Sequence, residues 1–367
     1  MPFLVLCACK GTKSKTDGVD KIPCAVKTGP KHSIKQNSCG EPDMRHKLKT
    51  FLTALLMFYS LSSLALGQIF PDRAVRIIVP FPPGGATDIA ARLVGERLSA
   101  TWGQPVIVEN RSGASGSIGT DAVARAKPDG YTILVGTLAT NVMAHLLQAK
   151  VPYGRDAFDP IILLTSSPNI LMASKDLSKG SLADLVAHAK GSPDELTYSS
   201  GGTGLSGHLG VELFADAAGI KLIHVPYRGS APGGQALIQG EVDLSLVLVA
   251  QALTISETKP EIRPLAIAAA QRSSQFPDVP TFGELGYPAV QVYAINGLMV
   301  PKGTPASVVD TIYKDAHAAL QDPKMRERME LLGLDVAAAS PQEFGKLLEE
   351  EFARWEPLLR SNKISAN

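Results

Sequence analysis

The chain has 367 residues, of which 45% are hydrophobic and 19% charged, and its net charge at pH 7 is +1. That length exceeds what a single small core requires and is typical of two domains. All four cysteines (Cys7, Cys9, Cys24 and Cys39) precede residue 40, so the sequence from residue 68 onward excludes disulfides, thiolate catalysis and cysteine-based zinc sites.

The segment 44–67, MRHKLKTFLTALLMFYSLSSLALG, has a basic start, an apolar run and small residues at its end. This order is typical of a secretory signal, and it predicts export with cleavage near Gly67. A membrane anchor is the alternative, but serines and threonines interrupt the run, whereas a spanning helix needs about 20 mostly apolar residues. Residues 1–43 lack periodicity, so we interpret them as disordered or as preceding the true start at Met44.

The charge balance changes once the predicted signal and the residues before it are removed. Residues 1–67 carry ten Lys or Arg and four Asp or Glu, which leaves 26 basic and 31 acidic residues and a net charge of about −5. A negatively charged chain is a poor match for a polyanion, so we expect no nucleic-acid partner.

Strand-like apolar runs alternate with helical patterns from 75–81, 105–110 and 131–137 onward to about residue 270. Strands that are apolar on both faces and joined by helices indicate mainly parallel sheets in an α/β protein. From Ala306 the pattern becomes mostly helical, and it ends in an amphipathic helix at 343–359.

The sequence after residue 67 contains no low-complexity linker, although its length suits two domains. We therefore predict that the two lobes are joined by strands that cross between them, near 168–173 and 290–297. The predicted division is 68–170 plus 293–367 for the first lobe and 171–292 for the second, with a ligand in the cleft between them.

The first strand-to-helix corner has the sequence FPPGGATD, at 81–88. Gly84 and Gly85 permit close approach of a ligand to the backbone, and the unpaired N–H groups of the new helix attract anions. A phosphate loop would require a Gly-Lys-Ser/Thr sequence that the corner lacks. Asp88 either caps its own helix, as carboxylates at helix starts commonly do, or contacts the ligand.

The second corner, YSSGGTGLSGHLGVEL, contains the pattern Gly202-x-Gly204-x-x-Gly207 after a strand and before a helix. This is the context of a dinucleotide-binding loop. The next strand, however, ends without the acidic residue that binds a ribose. Ser200 and Thr203 add hydroxyl donors near the helix start, which suits a carboxylate.

Two further corners follow the same plan. VPYRGSAP places Tyr227 and Ser230 after a strand, where they face a cleft or simply form a turn. VGTLATN places Thr137 and Asn141 where they either bind a ligand or cap a helix.

Catalytic patterns are missing from the sequence. The five histidines after residue 67 form no His-Glu-x-x-His pattern, and no Gly-x-Ser-x-Gly elbow occurs. Polar, glycine-rich strand ends without a nucleophile predict binding rather than turnover, and we expect neither a cofactor nor a metal ion.

Several long motifs in the same order resemble one family. FPDRAVRIIVPFPPGGATDIAARL, VIVENRSGASGSIGTDAVARAKPDGYTILVGT, YSSGGTGLSGHL, VPYRGSAPGGQALIQGEVD, PDVPTFGELGYP and GLMVPKGTP are similar to the substrate-binding proteins of tripartite tricarboxylate transporters, the Bug family. The resemblance extends from about Phe70 to Trp355. It implies a two-lobed, type II-like binding protein located in the periplasm, whose lobes are mainly parallel sheets flanked by helices, with two crossover strands as the hinge.

The resemblance also implies a monomer that closes on a small organic carboxylate and passes it to membrane permease subunits. The ligand-binding residues that it implies are Phe81, Pro83, Gly84, Gly85, Asp88, Thr137, Ser200, Gly201, Thr203, Gly204, Tyr227 and Ser230.

The sequence departs from the family pattern after Asp243, where LSLVLVAQAL is apolar, and at Pro260, where a glycine is common. An apolar wall at the distal end of the site favours a monocarboxylate or an aromatic carboxylate. Two alternatives stay open: an oxidoreductase that uses the Gly202–Gly207 loop, and a receptor that signals to a membrane sensor.

Overall fold

The computed structural model describes residues 70–148, 150–175, 177 and 180–360. The predicted signal at 44–67 and the interpretation of residues 1–43 therefore lie outside the described residues. Among the described helices, none combines the length and the apolar character that crossing a membrane requires.

Strands and helices alternate through most of the described chain. The strands are β1 (Val75–Val79), β2 (Val106–Asn110), β3 (Thr132–Gly136), β4 (Phe158–Ala173), β5 (Thr197–Ser200), β6 (Ile223–Pro226), β7 (Leu244–Leu248), β8 (Arg263–Ile267), β9 (Tyr293–Pro301) and β10 (Val336–Ala339). The α-helices are α1 (Ala86–Trp102), α2 (Ser117–Ala124), α3 (Ala144–Leu147), α4 (Leu182–Gly191), α5 (Ser206–Ala218), α6 (Ser230–Gln239), α7 (Val249–Thr258), α8 (Ala306–Gln321), α9 (Pro323–Leu331) and α10 (Pro341–Arg360). A short 3₁₀-helix at Ala114–Gly116 and a π-helix at Ala139–Met143 complete the set.

The strands form two half-sheets that share β4. The first has the order β2-β1-β3-β9-β4, and β10 also pairs with β4; the second has the order β4-β7-β5-β6, and β8 also pairs with β4. Within each half, the strands connected by helices are parallel: β2, β1 and β3 in the first, and β7, β5 and β6 in the second.

The long strand β4 crosses from one half-sheet to the other. It pairs with β9 as far as Pro168, opposite Tyr293, and its pairing with β7 begins one residue later, at Asn169. The return crossing lies at Val292, whose N–H donates to Ala268 O (3.0 Å) just before β9 begins.

This arrangement confirms the predicted fold, two lobes joined by crossover strands. The sheets contain more antiparallel pairing than the sequence indicated, because a strand that crosses between lobes runs opposite to the strands of the βα units beside it. The residue limits assigned to the two lobes stay a prediction.

Burial explains why the strands of the first lobe read as continuous apolar runs. Every residue of β3 is buried, and β1 exposes only Arg76, because helices cover both faces of these strands. The C-terminal segment returns to the same half-sheet: β10 pairs with β4, and the ring of Phe344 in α10 lies against Gly297 of β9.

Candidate ligand-binding cleft

The first corner presents open backbone at the start of α1. Gly85 is the N-cap residue of the helix, with φ −82° and ψ 168°, and Gly84 has φ +87°. A Cβ atom added at either glycine would have no protein atom within 4 Å. Packing against the protein therefore does not require a glycine at 85, and the space beside it is free for a ligand.

Asp88 is held inside this corner by its neighbours. Its Oδ2 accepts hydrogen bonds from the Gly84 N–H and Arg92 Nε, both at 3.0 Å, and its Oδ1 accepts one from Asn110 Nδ2 at 2.9 Å. Burial by itself would raise the pKa of the Asp88 carboxyl, but these hydrogen bonds and the charge of Arg92 outweigh burial and lower the pKa. The carboxylate joins the corner to α1 and to the end of β2.

The second corner contains glycines that packing requires. A Cβ at Gly207 would lie 2.7 Å from the carbonyl oxygen of Leu246 in β7, and one at Gly204 would lie 3.1 Å from Cβ of Met143 in the π-helix. Gly202 and Gly204 have φ values of +135° and +83°. Close packing and left-handed backbone therefore account for the glycine pattern without a dinucleotide.

The third corner is pinned to the second by backbone hydrogen bonds. The Tyr227 N–H donates to Ser200 O, and the Gly229 N–H donates to Gly201 O, both at 2.9 Å. A Cβ at Gly201 would approach the Ser230 nitrogen to 2.8 Å, so only glycine lets the two loops lie this close.

A stack of three aromatic rings packs against the second corner, and two of them, Tyr198 and His208, are fully buried. His224 lies between Tyr198 and His208, with ring centroids 4.8 Å and 4.3 Å away, and its Nε2 lies 2.7 Å from Ser200 Oγ. Burial and, to a smaller extent, the nearby His224 lower the pKa of His208 to about 3. His208 is therefore neutral at physiological pH, and its Nδ1 accepts a hydrogen bond from the Gly204 N–H (3.2 Å).

A cavity of about 370 Å³, here called the cleft cavity, lies where these corners meet. Residues at the starts of four helices line it: 85–87 for α1, 205–207 for α5, 229–232 for α6 and Leu248 for α7. Helix starts carry unpaired N–H groups and a partial positive charge of roughly +0.5 each. The cavity is therefore built to attract an anion.

A second cavity of about 540 Å³, here called the side cavity, adjoins the first. Its walls are the glycine-rich loop 112–116, residues 201–203 and residues 226–229. The two cavities have Phe81, Pro82, Gly201, Leu205, Arg228 and Gly229 in common.

The structure brings most of the predicted site residues to these cavities. Those that line the cleft cavity are Phe81, Pro83, Gly85, Thr137, Ser200, Gly201 and Ser230. Thr203 and Tyr227 line only the side cavity, and Gly84, Asp88 and Gly204 line neither.

Sequence reasoning missed several polar residues of the cleft cavity, among them Asn169, Asn296 and Arg228. The asparagines lie on the crossing strands, whose approximate positions were predicted but whose inward faces were not. Arg228 lies inside the third corner motif, immediately after Tyr227, and its position in that motif is the signal that could have identified it.

Within the described part of the chain, no three His, Cys, Asp or Glu side chains approach closely enough to bind a metal ion. Among the residues lining the two cavities, none is a histidine or a cysteine. The polar groups available to a ligand are backbone N–H groups, hydroxyls, amides and one guanidinium.

Two lobes joined by crossing strands, with helix starts directed at the cleft between them, define a periplasmic solute-binding protein. Within that class the chain belongs to the family described as tripartite tricarboxylate transporter family receptor, whose profile matches residues 90–364. The resemblance to the Bug proteins is thereby confirmed.

Known relatives match along nearly their whole length. Protein BugT of Bordetella pertussis is 34% identical over 79% of this chain and 90% of its own. An R. palustris protein whose structure was solved with adipate is 35% identical, with a TM-score of 0.76 over 81% of this chain and 99% of its own. MatC from Rhodopseudomonas palustris, solved with bound malate, is 34% identical, with a TM-score of 0.73 over 79% of this chain and all of its own.

Proposed function

We propose that this protein is an exported receptor that binds a small organic carboxylate in the cleft cavity. In this proposal it delivers the carboxylate to the membrane permease of a tripartite tricarboxylate transporter and catalyses no reaction. The observation that carries the proposal is the convergence of four helix starts on one cavity that no Asp or Glu lines among the described residues.

The physical argument rests on the donors that surround the cavity. A carboxylate needs several N–H or O–H donors, and helix starts supply them without a counter-ion. Thr87, Ser206 and Ser230 add hydroxyl groups at three of these starts. The volume of about 370 Å³ suits a small metabolite, since binding pockets commonly have volumes of about 300–1,000 Å³.

The relatives support the same ligand class. The R. palustris protein was solved with adipate and MatC with malate, and both of these ligands are carboxylates. Export is supported by the family and by the signal predicted at 44–67.

Thermal unfolding of the purified protein with a broad panel of carboxylates tests the proposal. A ligand that binds only the native state at about 100 times its dissociation constant adds about 2.7 kcal/mol to the free energy of unfolding. This is a shift of several degrees for a chain of this size. A panel that leaves the unfolding temperature unchanged, while a receptor of known ligand responds in the same plates, would refute it.

The same plates test the oxidoreductase alternative built on the Gly202–Gly207 loop. We expect NADH and NAD⁺ to leave the unfolding temperature unchanged, because packing already accounts for the glycines of that loop. Stabilisation by NADH with no response to any carboxylate would favour the enzyme.

A further inference from the structure

His224 lies behind the second corner, on β6, and its ring is held in one position. β6 pairs in parallel with β5, and this register sets His224 opposite Tyr198. The imidazole stacks on the rings of Tyr198 and His208, at interplanar angles of 16° and 29°. Tyr198 is in turn held by its hydroxyl, which donates to Glu212 (2.6 Å). The stack fixes His224 Nε2 at 2.7 Å from Ser200 Oγ.

Ser200 connects this ring to the cleft cavity. It is the last residue of β5, is only 3% exposed and lines the cavity. Among the described residues, two polar groups form hydrogen bonds with its Oγ: the Gly202 N–H, which donates at 3.1 Å, and His224 Nε2. A hydroxyl has one proton and two lone pairs. Since Gly202 occupies one lone pair, the proton and the other lone pair are divided between His224 and a ligand.

The proton on His224 decides this division. If Nε2 carries a proton, it donates to the remaining lone pair, and the Ser200 hydroxyl proton is left for the ligand. If Nε2 is bare, Ser200 donates to it, and a lone pair faces the ligand instead. An ionised carboxylate only accepts hydrogen bonds, so the first arrangement binds it and the second repels it.

We propose that His224 is a positioning residue of the ligand site: its Nε2 carries a proton and donates to Ser200 Oγ, which directs the Ser200 hydroxyl proton at the ligand carboxylate. This inference rests on the proposed function, because a ligand that only accepts hydrogen bonds is what requires the proton on Nε2. The neighbouring His208 is compatible with it. His208 accepts the Gly204 N–H through its Nδ1 and stays neutral, so it places no positive charge against the His224 ring.

Nitrogen-15 NMR of the imidazole rings in the purified protein tests where the proton lies. The probes are adipate and malate, together with the carboxylate of the panel that raises the unfolding temperature most. The signals of His224 are assigned from those that disappear in His224→Gln. We expect a protonated Nε2 in the carboxylate complex, and a bare Nε2 there would overturn the proposal.

Isothermal titration calorimetry with the same probes measures what the orientation contributes. We expect His224→Leu to weaken binding by about threefold to tenfold, the range for having to order one side chain on binding. His224→Gln should stay within about twofold of the wild type, because its amide can supply the same donor. The matched control is His188→Leu, which removes an exposed histidine of α4 that lines neither cavity and should leave affinity unchanged.

A double-mutant cycle with Ser200→Ala separates positioning from a general structural role. Ser200→Ala should itself weaken binding by about tenfold or more, through loss of a hydrogen bond to a charged group. In that background His224→Leu should change affinity by less than about twofold, with urea unfolding confirming that each variant is folded. Equal weakening by His224→Leu in both backgrounds, or failure of His224→Gln to restore affinity, would refute the role of His224 and leave the proposed function standing. A wild type that binds no carboxylate of the panel would refute the proposed function, and this inference with it.

Discussion

Replacing Gly85 with valine tests whether a ligand occupies the open space at the first corner. The residue has φ −82° and ψ 168°, a conformation that valine adopts readily, and an added Cβ has no protein atom within 4 Å. Loss of the glycine N-cap costs up to about 1 kcal/mol. Reduced freedom of the unfolded chain offsets about 0.4–1 kcal/mol of this. We therefore expect the free energy of unfolding to change by less than about 1 kcal/mol.

The effect on binding should be much larger. If the proposed function is correct, a carboxylate at the start of α1 accepts backbone hydrogen bonds, each contributing about 1.5–3 kcal/mol when one partner is charged. A valine side chain in the same space displaces the carboxylate from at least two such donors, a loss of about 3 kcal/mol or more. Since 1.4 kcal/mol corresponds to a tenfold change, affinity should fall by about a hundredfold or more.

Calorimetric titration with the best ligand from the carboxylate panel measures the affinity, and urea unfolding measures the stability. The matched control is Gly191→Val at the exposed end of α4. An added Cβ at Gly191 also meets nothing within 4 Å, and Gly191 lines neither cavity. Affinity of Gly85→Val within about threefold of the control, with both variants folded, would show that the ligand does not approach Gly85.

Three further predictions concern the supports of the cleft. We expect Asp88→Asn to lower the free energy of unfolding by about 2 kcal/mol at pH 7, since Arg92 loses its charged partner. Because the pKa of Asp88 is lowered in the folded state, the stability difference between the wild type and Asp88→Asn should shrink as pH falls below about 4. A stability difference that urea unfolding finds to be independent of pH would contradict this prediction. We expect the wild type to lose about 1.4 kcal/mol of stability per pH unit below about 6.5 relative to His208→Gln, because the unfolded state binds a proton that His208, with a pKa of about 3, does not. Equal slopes for the two proteins in urea unfolding at pH 7, 6 and 5 would refute this assignment. Finally, Gly207→Ala should destabilise the fold by about 1–3 kcal/mol, because the alanine Cβ would lie 2.7 Å from the Leu246 carbonyl oxygen. An unchanged unfolding temperature in scanning calorimetry would show that the backbone moves to accommodate the Cβ.

Part of the environment of Asp88 could be predicted from its neighbours in the sequence, and part of it could not. A carboxylate near the start of a helix suggested either a cap or a ligand contact, and the bond to Gly84, four residues away, is of the local kind. The bond from Asn110, 22 residues away at the end of β2, is not visible in a local pattern. These hydrogen bonds hold the buried Asp88 carboxylate in place, and Asp88 lines neither cavity.

The sequence by itself determined the order of strands and helices and the glycine-rich corners that the structure places at the cleft cavity. Apolar runs such as that of β3 indicate strands buried on both faces. The glycine at position 85 and the helical pattern that follows it mark the start of α1 within a few residues. Such signals depend on neighbours along the chain, so one sequence is enough to read them.

Only the tertiary structure decided which corners share a cavity. The pairing of Asn169 with Leu248 and of Pro168 with Tyr293 joins segments that lie about 80 and 125 residues apart, and this pairing shapes the cleft. Arg228 reads in the sequence as one residue of a turn, and only the structure places it in the lining of both cavities. Contacts of that kind depend on how distant elements pack, which the periodicity of a single segment does not encode.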